Sequence, residues 1–230
     1  MSLDNNGQSG SITRFVVHND YMYVLNLNEV KTFSLSDPDN PQLVNVLTTD
    51  FGLETIIIYD ETIFIGSTNA LYILGIDQPD SPVLLSKSDR GEILLEGCDP
   101  VVVKDHFAYS TIKIINNICG IINAVSALVV YDIEDKLNPV FISQYPMNQP
   151  NGLGYKGNYL LVCDGGNHLV EVFDISNPHK VVLTDYSFGV SDPVDIIIKG
   201  EQAIISSKKE FRLYDISDIE NIRPLGVIGK

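Results

Sequence analysis

The chain has 230 residues, with 30 Asp and Glu against 15 Lys and Arg, and its formal net charge is −15 at pH 7. A surface this acidic repels phosphate, which disfavours nucleic-acid binding and docking to anionic lipid headgroups. Acidity most often serves solubility, and here it also leaves cationic partners and divalent ions open as ligands. The sequence as given contains no apolar span of membrane length and no apolar signal segment.

The first twelve residues are rich in Asp, Asn, Gly, Gln and Ser, a composition that predicts a flexible N-terminal tail over residues 1–12.

One motif then recurs along the chain. Its first residue is aromatic or Leu, its second is Asp or a small residue, its third is aliphatic, and polar turn residues follow. Its five copies begin at Phe33, Leu74, Tyr131, Phe173 and Tyr214. The step between copies is 41 or 42 residues, except that an insertion lengthens the step before the third copy to 57. The chain is therefore a repeat protein.

Each copy contains four short apolar runs, such as 56–58, 62–66, 70–74 and 83–85 in the second copy. Four strands per unit at a period in the low forties are typical of a propeller blade, and no stretch shows sustained helical spacing. We therefore predict an all-β, five-bladed β-propeller with four-stranded antiparallel blades, closed by packing of the first blade against the last. The predicted blades are 13–49, 50–90, 91–146, 147–187 and 188–230 of one domain, 13–230.

Propeller ligands usually bind where the loops that lead into the inner strands converge on the axis. The residues before or at the start of these strands are Arg14, Glu54, Thr55, Asp99, Asn151 and Asp195. Such a ring, with one cation and three carboxylates, could hold a metal, orient a small polar ligand or supply an acid and a base. The simpler interpretation, which we favour, is that these side chains satisfy loop backbone groups and pair Arg14 with an acid.

Several segments carry a family resemblance. An apolar strand followed by Asp, an aliphatic residue and Ser, Asp or Asn is matched at 128–133 and 170–178. Further tags are Gly7–Ser11 ahead of Arg14 and Phe15, and the segments 54–56, 98–101 and 152–154. The chain resembles LVIVD-repeat lipoproteins of Bacteroidetes over essentially its whole length. The resemblance implies an exported, periplasmic or outer-membrane protein of unassigned activity, held at a membrane only by a lipid anchor that this chain lacks.

The three cysteines bear on whether the protein is exported. A bridge between Cys98 and Cys119 would close a loop of about 20 residues and stabilise the fold by roughly 3 kcal/mol, which would suit an exported protein. Cys163 lies in an apolar strand and reads as a small buried hydrophobe. The alternative is three buried thiols in a reducing compartment.

The insertion, 112–127, is unusually apolar, and either folds back onto the core or forms a homo-oligomer contact.

We predict a non-catalytic cell-surface or periplasmic binding or scaffold propeller that takes a protein or a small polar ligand at its face, with no cofactor, catalytic residue or metal ligand. The alternative is a glycoside hydrolase-like or metal-dependent enzyme that uses axial carboxylates. The absence of Trp counts against a sugar site, because such sites commonly use broad aromatic platforms.

Overall fold

The computed structural model describes residues 7–10, 13–50, 52–68, 70–89, 100–113 and 126–229. Five antiparallel sheets follow one another along the chain. Four of them are built as predicted from four consecutive strands in simple up-and-down order, and the fourth in chain order contains the variations described below. The predicted all-β, five-bladed β-propeller is confirmed. Cys98, Asp99, Cys119 and most of the insertion lie outside the described residues, so the predicted disulfide and insertion contact remain predictions.

The strands of each blade run from the axis to the rim. Blade one contains β2 (Phe15–His18), β3 (Tyr21–Asn26), β4 (Glu29–Ser34) and β5 (Gln42–Thr48). Blade two contains β6 (Leu53–Tyr59), β7 (Thr62–Ser67), β8 (Ala70–Gly75) and β9 (Val83–Asp89). Blade three contains β10 (Val101–Lys104), β11 (Phe107–Ile112), β12 (Ala127–Asp132) and β13 (Val140–Pro146).

Blade four contains β14 (Pro150–Lys156), β15 (Tyr159–Asp164), β16 (Leu169–Asp174) and an outer strand split into β17 (Val182–Leu183) and β18 (Phe188–Gly189). Because β18 pairs with β16, this blade extends beyond the predicted boundary at residue 187. Blade five contains β19 (Pro193–Lys199), β20 (Gln202–Ser207), β21 (Glu210–Asp215) and β22 (Arg223–Gly229). Short 3₁₀ turns, Pro178–Lys180 and Ile219–Asn221, precede the outer strands of these two blades.

The repeated motif forms the turn between the third and outer strands. The carboxylate of Asp174 accepts the backbone N–H of Ser176 at 2.8 Å, and Asp215 accepts that of Ser217 at 2.9 Å. These hydrogen bonds hold the pKa of both carboxyls below its usual value. The motif therefore recurs because each blade must reverse direction at the same point, and a short acceptor side chain stabilises that reversal.

Four apolar clusters fill the spaces between consecutive blades. In order along the chain, members from the two sides of each cluster include Tyr23 and Ile65, Phe64 and Val103, Val130 and Tyr155, and Val172 and Ile205. A blade in the middle of the array buries both faces, which is why its inner strands are continuous apolar runs rather than alternating ones. Each fully buried side chain of this size stabilises the fold by roughly 1.5–3 kcal/mol.

The predicted closure of the ring is not what the structure has. Among the described residues, none of the four core clusters joins blade five to blade one. Phe15 of blade one is 55% exposed and Ile197 of blade five is 47% exposed, although both occupy inner strands. Within the part of the chain that the structure describes, blades one and five therefore each keep one apolar face uncovered.

A further strand, β1 (Gly7–Gly10), lies on the axis. It pairs antiparallel with β14, the inner strand of blade four, from Gly7 opposite Lys156 to Gly10 opposite Leu153. It also lies close to β19, β10 and β6, the inner strands of three other blades. The prediction of a loose tail is thus wrong for residues 7–10. Because two of the four residues are glycine, the backbone can approach the surrounding inner strands closely.

The described part of the chain contains one free cysteine, Cys163, and it is fully buried. Burial raises the pKa of its thiol well above the usual value, and the nearby Asp195 carboxylate adds to this effect. We expect Cys163 to resist a thiol reagent such as Ellman's reagent in the native protein, because its reactive thiolate is both scarce and inaccessible.

The same titration in guanidinium chloride without reductant tests the predicted bridge. One reactive thiol per chain after unfolding is the result expected for a disulfide between Cys98 and Cys119, and three would exclude it. A native Cys98→Ser, Cys119→Ser variant in which Cys163 reacts rapidly would contradict the burial of that thiol.

Candidate functional site

The loops that lead into the inner strands lie on one face of the propeller, here called the upper face. The turns that follow the inner strands lie on the opposite, lower face. The predicted ring belongs to the upper face because its described members precede the inner strands or lie near their starts. The structure separates these residues into two groups.

The first group lies at the start of blade two. Arg14 is exposed, and its guanidinium donates a hydrogen bond to the carbonyl of Leu53 at 3.1 Å. Glu54 is half-buried and Thr55 is fully buried within β6. Arg14 therefore supports the loop backbone, and Thr55 does not line an open mouth.

The second group joins blades three, four and five around Asn151. Its amide donates to the carbonyl of Pro193 at 2.8 Å, and its side-chain oxygen accepts from the ammonium of Lys113 at 2.9 Å. Its backbone carbonyl accepts from the hydroxyl of Thr111 at 2.8 Å. Asn151 is thus engaged on both ends of its side chain and ties neighbouring blades together. Sequence reasoning missed Lys113, because it lies at the start of the insertion and not in a segment that leads into an inner strand.

Asp195 lies beside this group, at the closest approach of two inner strands. Its carboxylate accepts the backbone N–H of Ile196 at 2.9 Å. A β-carbon added at Gly152 would lie 2.2 Å from its Oδ1 and 2.7 Å from its Cα. The structure therefore brings Asn151 and Asp195 together through the contact between blades four and five, and only glycine fits at position 152.

A buried carboxylate that the sequence analysis did not single out lies next to the ring. Asp164 is fully buried at the end of β15 and accepts hydrogen bonds from four backbone N–H groups and one side-chain amide. It holds both the loop before β14 and the hairpin 165–168. The sequence signal for it is an Asp immediately before Gly165 and Gly166, a pattern that by itself predicts only a tight hairpin.

Glu171 lies two strand positions away from that hairpin and is 8% exposed. The amide of Asn167 donates to Asp164 at 3.2 Å and to Glu171 at 3.1 Å, so it bridges the two carboxylates. Burial raises the pKa of Glu171 above its usual value, and the Asp164 carboxylate acts in the same direction, while the Asn167 amide opposes them.

We expect Glu171→Gln to be more stable than the wild type at pH 8, with the difference shrinking towards pH 4. A raised native pKa means that ionisation of Glu171 disfavours the folded state. This destabilisation is absent at pH values below the pKa of Glu171 in the unfolded chain, near 4.5, and it is complete at pH values above its pKa in the folded protein. Thermal unfolding at both pH values measures it, and the exposed substitution Glu134→Gln is the control. A Glu171→Gln variant that is less stable than wild type at pH 8 would contradict this.

Negative charge is concentrated on the lower face. Its described carboxylates come from all five blades: Asp20, Asp37, Asp39, Asp60, Glu61, Asp77, Asp80, Asp105, Asp132, Glu134, Asp135, Asp174, Glu201, Asp215, Asp218 and Glu220. The described Lys and Arg residues of this face are Lys104, Lys136, Lys156, Lys180, Lys199 and Arg223. Carboxylates thus outnumber the bases by more than two to one. The other described residues include 10 carboxylates and 7 bases, so the excess of negative charge is smaller away from the lower face.

A groove of about 550 Å³ opens on the lower face between blades four and five. Its lining includes Lys156, Tyr159, Asp174, Glu201 and Glu220. Lys156 forms an ion pair with Glu201 across the groove and donates to the carbonyl of Gly200 at 3.2 Å. The charged residues of its lining are mostly acidic, and its one Lys is already paired with a Glu.

Within the described ranges, no group of three or more His, Cys, Asp or Glu side chains is arranged to hold a metal ion. No helix among those residues is long and apolar enough to cross a membrane.

The architecture places the chain in the class of β-propeller proteins. No protein-family model matches the sequence, and no curated protein matches it. Solved structures match it in fold. The periplasmic gluconolactonase of Pseudomonas aeruginosa superimposes with a TM-score of 0.69 at 11% identity, over 91% of this chain and 67% of that protein. A putative 6-phosphogluconolactonase from Bacteroides uniformis gives 0.71 at 10% identity, over 94% and 70% of the two chains.

A protein of unknown function from Desulfotomaculum acetoxidans is similar over 92% of this chain and 80% of its own, with a TM-score of 0.54 and 12% identity. At identities this low the comparisons establish the propeller fold, and the chemistry has to be argued from the residues themselves.

Proposed function

We propose that the protein is a non-catalytic binding propeller that docks a positively charged protein partner on its lower face. The observation that carries this proposal is the strand on the axis. Propeller pockets for small substrates usually lie there, and here β1 pairs with β14 and lies against the inner strands of three further blades. The upper mouth supports the same interpretation, since Asn151 and Arg14 are committed to holding backbone and neighbouring side chains.

The lower face supplies the docking surface in this proposal. The carboxylates that close the turns of the repeats also project a field of one sign, which would speed the approach of a basic partner. Hydrogen bonds hold the pKa of Asp135, Asp174 and Asp215 below its usual value, so these groups stay ionised well into the acidic range. Clustered carboxylates on an exposed face suit a protein surface rich in Lys and Arg.

The resemblance to LVIVD-repeat lipoproteins supports a location for this activity. It is consistent with an exported protein tethered by a lipid anchor to the cell surface or in the periplasm. The name of the Pseudomonas aeruginosa relative, a periplasmic enzyme, points to the same compartment.

The test compares two triple variants that each remove three negative charges. The lower-face variant is Asp39→Asn, Asp80→Asn, Glu134→Gln, and its matched control on the upper face is Glu29→Gln, Asp50→Asn, Asp192→Asn. Proteins retained from an envelope extract by the wild type and the control, and lost with the lower-face variant, are the expected result. Equal retention by all three proteins would overturn the assignment of the lower face.

The enzymatic alternative is a hydrolase. The two gluconolactonase names favour a lactone as its substrate, while axial carboxylates would suit a glycoside. Hydrolysis of gluconolactone and of nitrophenyl glycosides is measured for wild type and for Asp195→Asn. We expect no turnover above the uncatalysed rate. Turnover that is lost in the Asp195→Asn variant would replace the binding proposal with a catalytic one.

A further inference from the structure

The uncovered faces of the two terminal blades have defined residues. On blade one, strand register places Phe15 beside Val24, and Val17 beside Met22 and Phe33. These five form the blade-one face, because the alternating residues of the same strands pack towards blade two. Phe15 and Val17 are 55% and 52% exposed.

On blade five, register places Ile197, Ile204 and Leu213 in one row and Phe211 beside Ile228 in the next. These five form the blade-five face, since the alternating residues pack towards blade four. Four of them are 40–70% exposed: Ile197 47%, Ile204 40%, Phe211 40% and Ile228 70%.

Blade two has a neighbouring blade on each side, and its residues at the equivalent positions are buried. Ile56, Ile63 and Ile65 occupy the positions of the blade-one face and are fully buried against blade one. On its other side, Ile57, Phe64 and Ile73 correspond by register to Ile197, Ile204 and Leu213. Those three side chains are 7%, 0% and 0% exposed. Both terminal faces thus have the composition of a blade interface without its burial.

The chain itself shows what covers such a face. At each of its four internal interfaces, the side of a blade equivalent to the blade-five face packs on the side of the next blade equivalent to the blade-one face. We propose that two copies of this chain associate head to tail, with the blade-five face of one copy on the blade-one face of the other. This contact is heterologous, so each copy keeps one uncovered face at the end of the assembly.

The size of the contact sets its strength. Four strands about 4.8 Å apart and about six residues long at about 3.3 Å per residue give a face of roughly 400 Å². Over both copies the contact would bury about 800 Å², which is below the roughly 1,200–2,000 Å² of stable complexes, so we expect a weak or transient association. A charge of −15 on each copy opposes association, so added salt should strengthen it. The inference is independent of the proposed basic partner, because the two use different surfaces.

Sedimentation velocity over a range of protein concentrations measures the association. We expect the weight-average mass of the wild type to rise with concentration, and to rise further at high salt. Phe15→Glu alters only the blade-one face and Ile204→Glu only the blade-five face. Both side chains are already exposed, so circular dichroism should show both variants folded. Each variant alone should remain monomeric.

Mixing the two variants separates head-to-tail association from symmetric pairing. Phe15→Glu keeps an intact blade-five face, and Ile204→Glu keeps an intact blade-one face, so the mixture should form a one-to-one dimer that grows no further. Val83→Glu, a substitution of a 55% exposed residue on the rim of blade two, should leave wild-type association unchanged. A wild type that stays monomeric at every concentration, self-association of either single variant, or a mixture that stays monomeric would each overturn the proposal.

Discussion

Replacing Asp164 by alanine is expected to lower the free energy of unfolding by on the order of 3–5 kcal/mol. The fully buried carboxylate accepts the N–H groups of Asn148 and Gln149 at 3.0 Å and of Gly166 and Asn167 at 2.9 and 3.1 Å. It also accepts the side-chain amide of Asn167 at 3.2 Å. Alanine removes the acceptor and leaves these donors at a buried site, where unpaired polar groups are costly.

Urea denaturation of wild type and Asp164→Ala measures the loss. Asp164→Asn is expected to recover little of it, because one acceptor oxygen is replaced by an amide that points a donor at other donors. Asp135→Ala is the matched control, since Asp135 accepts the N–H of Leu137 at 2.9 Å in an exposed turn. A loss in Asp164→Ala no larger than that in the control would show that Asp164 is not the centre of this hairpin.

The fold could be predicted from the sequence because the repeats carry the same structural signals several times. The motif beginning at Phe173 is repeated at Tyr214 and Tyr131, so the turn between the third and outer strands is marked several times. The inner strands are marked independently by runs such as Ile56–Ile58, which both neighbouring blades bury. Two local signals with one period are enough to define a blade.

The axial strand could not be predicted in the same way. Gly7–Gly10 carries no apolar side chain, and its composition is that of a tail. Its strand conformation depends on pairing with the backbone of β14, which is more than 140 residues away along the chain. Ring closure failed as a prediction for a related reason. Repetition predicts that one blade face fits another, but it does not determine whether the first and last faces meet.

The candidate ring was predicted in part. Aligning the inner strands correctly placed Arg14, Asn151 and Asp195 on one face, because blade topology fixes where loops lie. The alignment could not show that Thr55 is buried or that Lys113 reaches Asn151 from another blade. These facts depend on how blades pack side by side, and a single repeat does not encode that packing.

Gly152→Ala is expected to destabilise the protein by about 2–3 kcal/mol, as overpacking in a closely packed contact does. The new β-carbon would lie 2.7 Å from the Cα of Asp195, so blades four and five must separate unless the backbone of one inner strand shifts. A side chain could rotate away from the methyl group, but a backbone atom cannot. The cost therefore exceeds the gain of roughly 0.4–1 kcal/mol that alanine usually brings by restricting the unfolded chain.

Gly189→Ala is the matched control, because a β-carbon at that exposed strand position meets nothing within 4 Å. It should be neutral or slightly stabilising in the same urea titration. Thiol accessibility provides a second readout, since Cys163 belongs to the cluster between blades four and five. If those blades separate, Ellman's reagent should modify Cys163 faster in Gly152→Ala than in Gly189→Ala. Equal stability and equal thiol reactivity in the two variants would mean that the blades accommodate the methyl group, and that the contact at Asp195 is not what holds them in register.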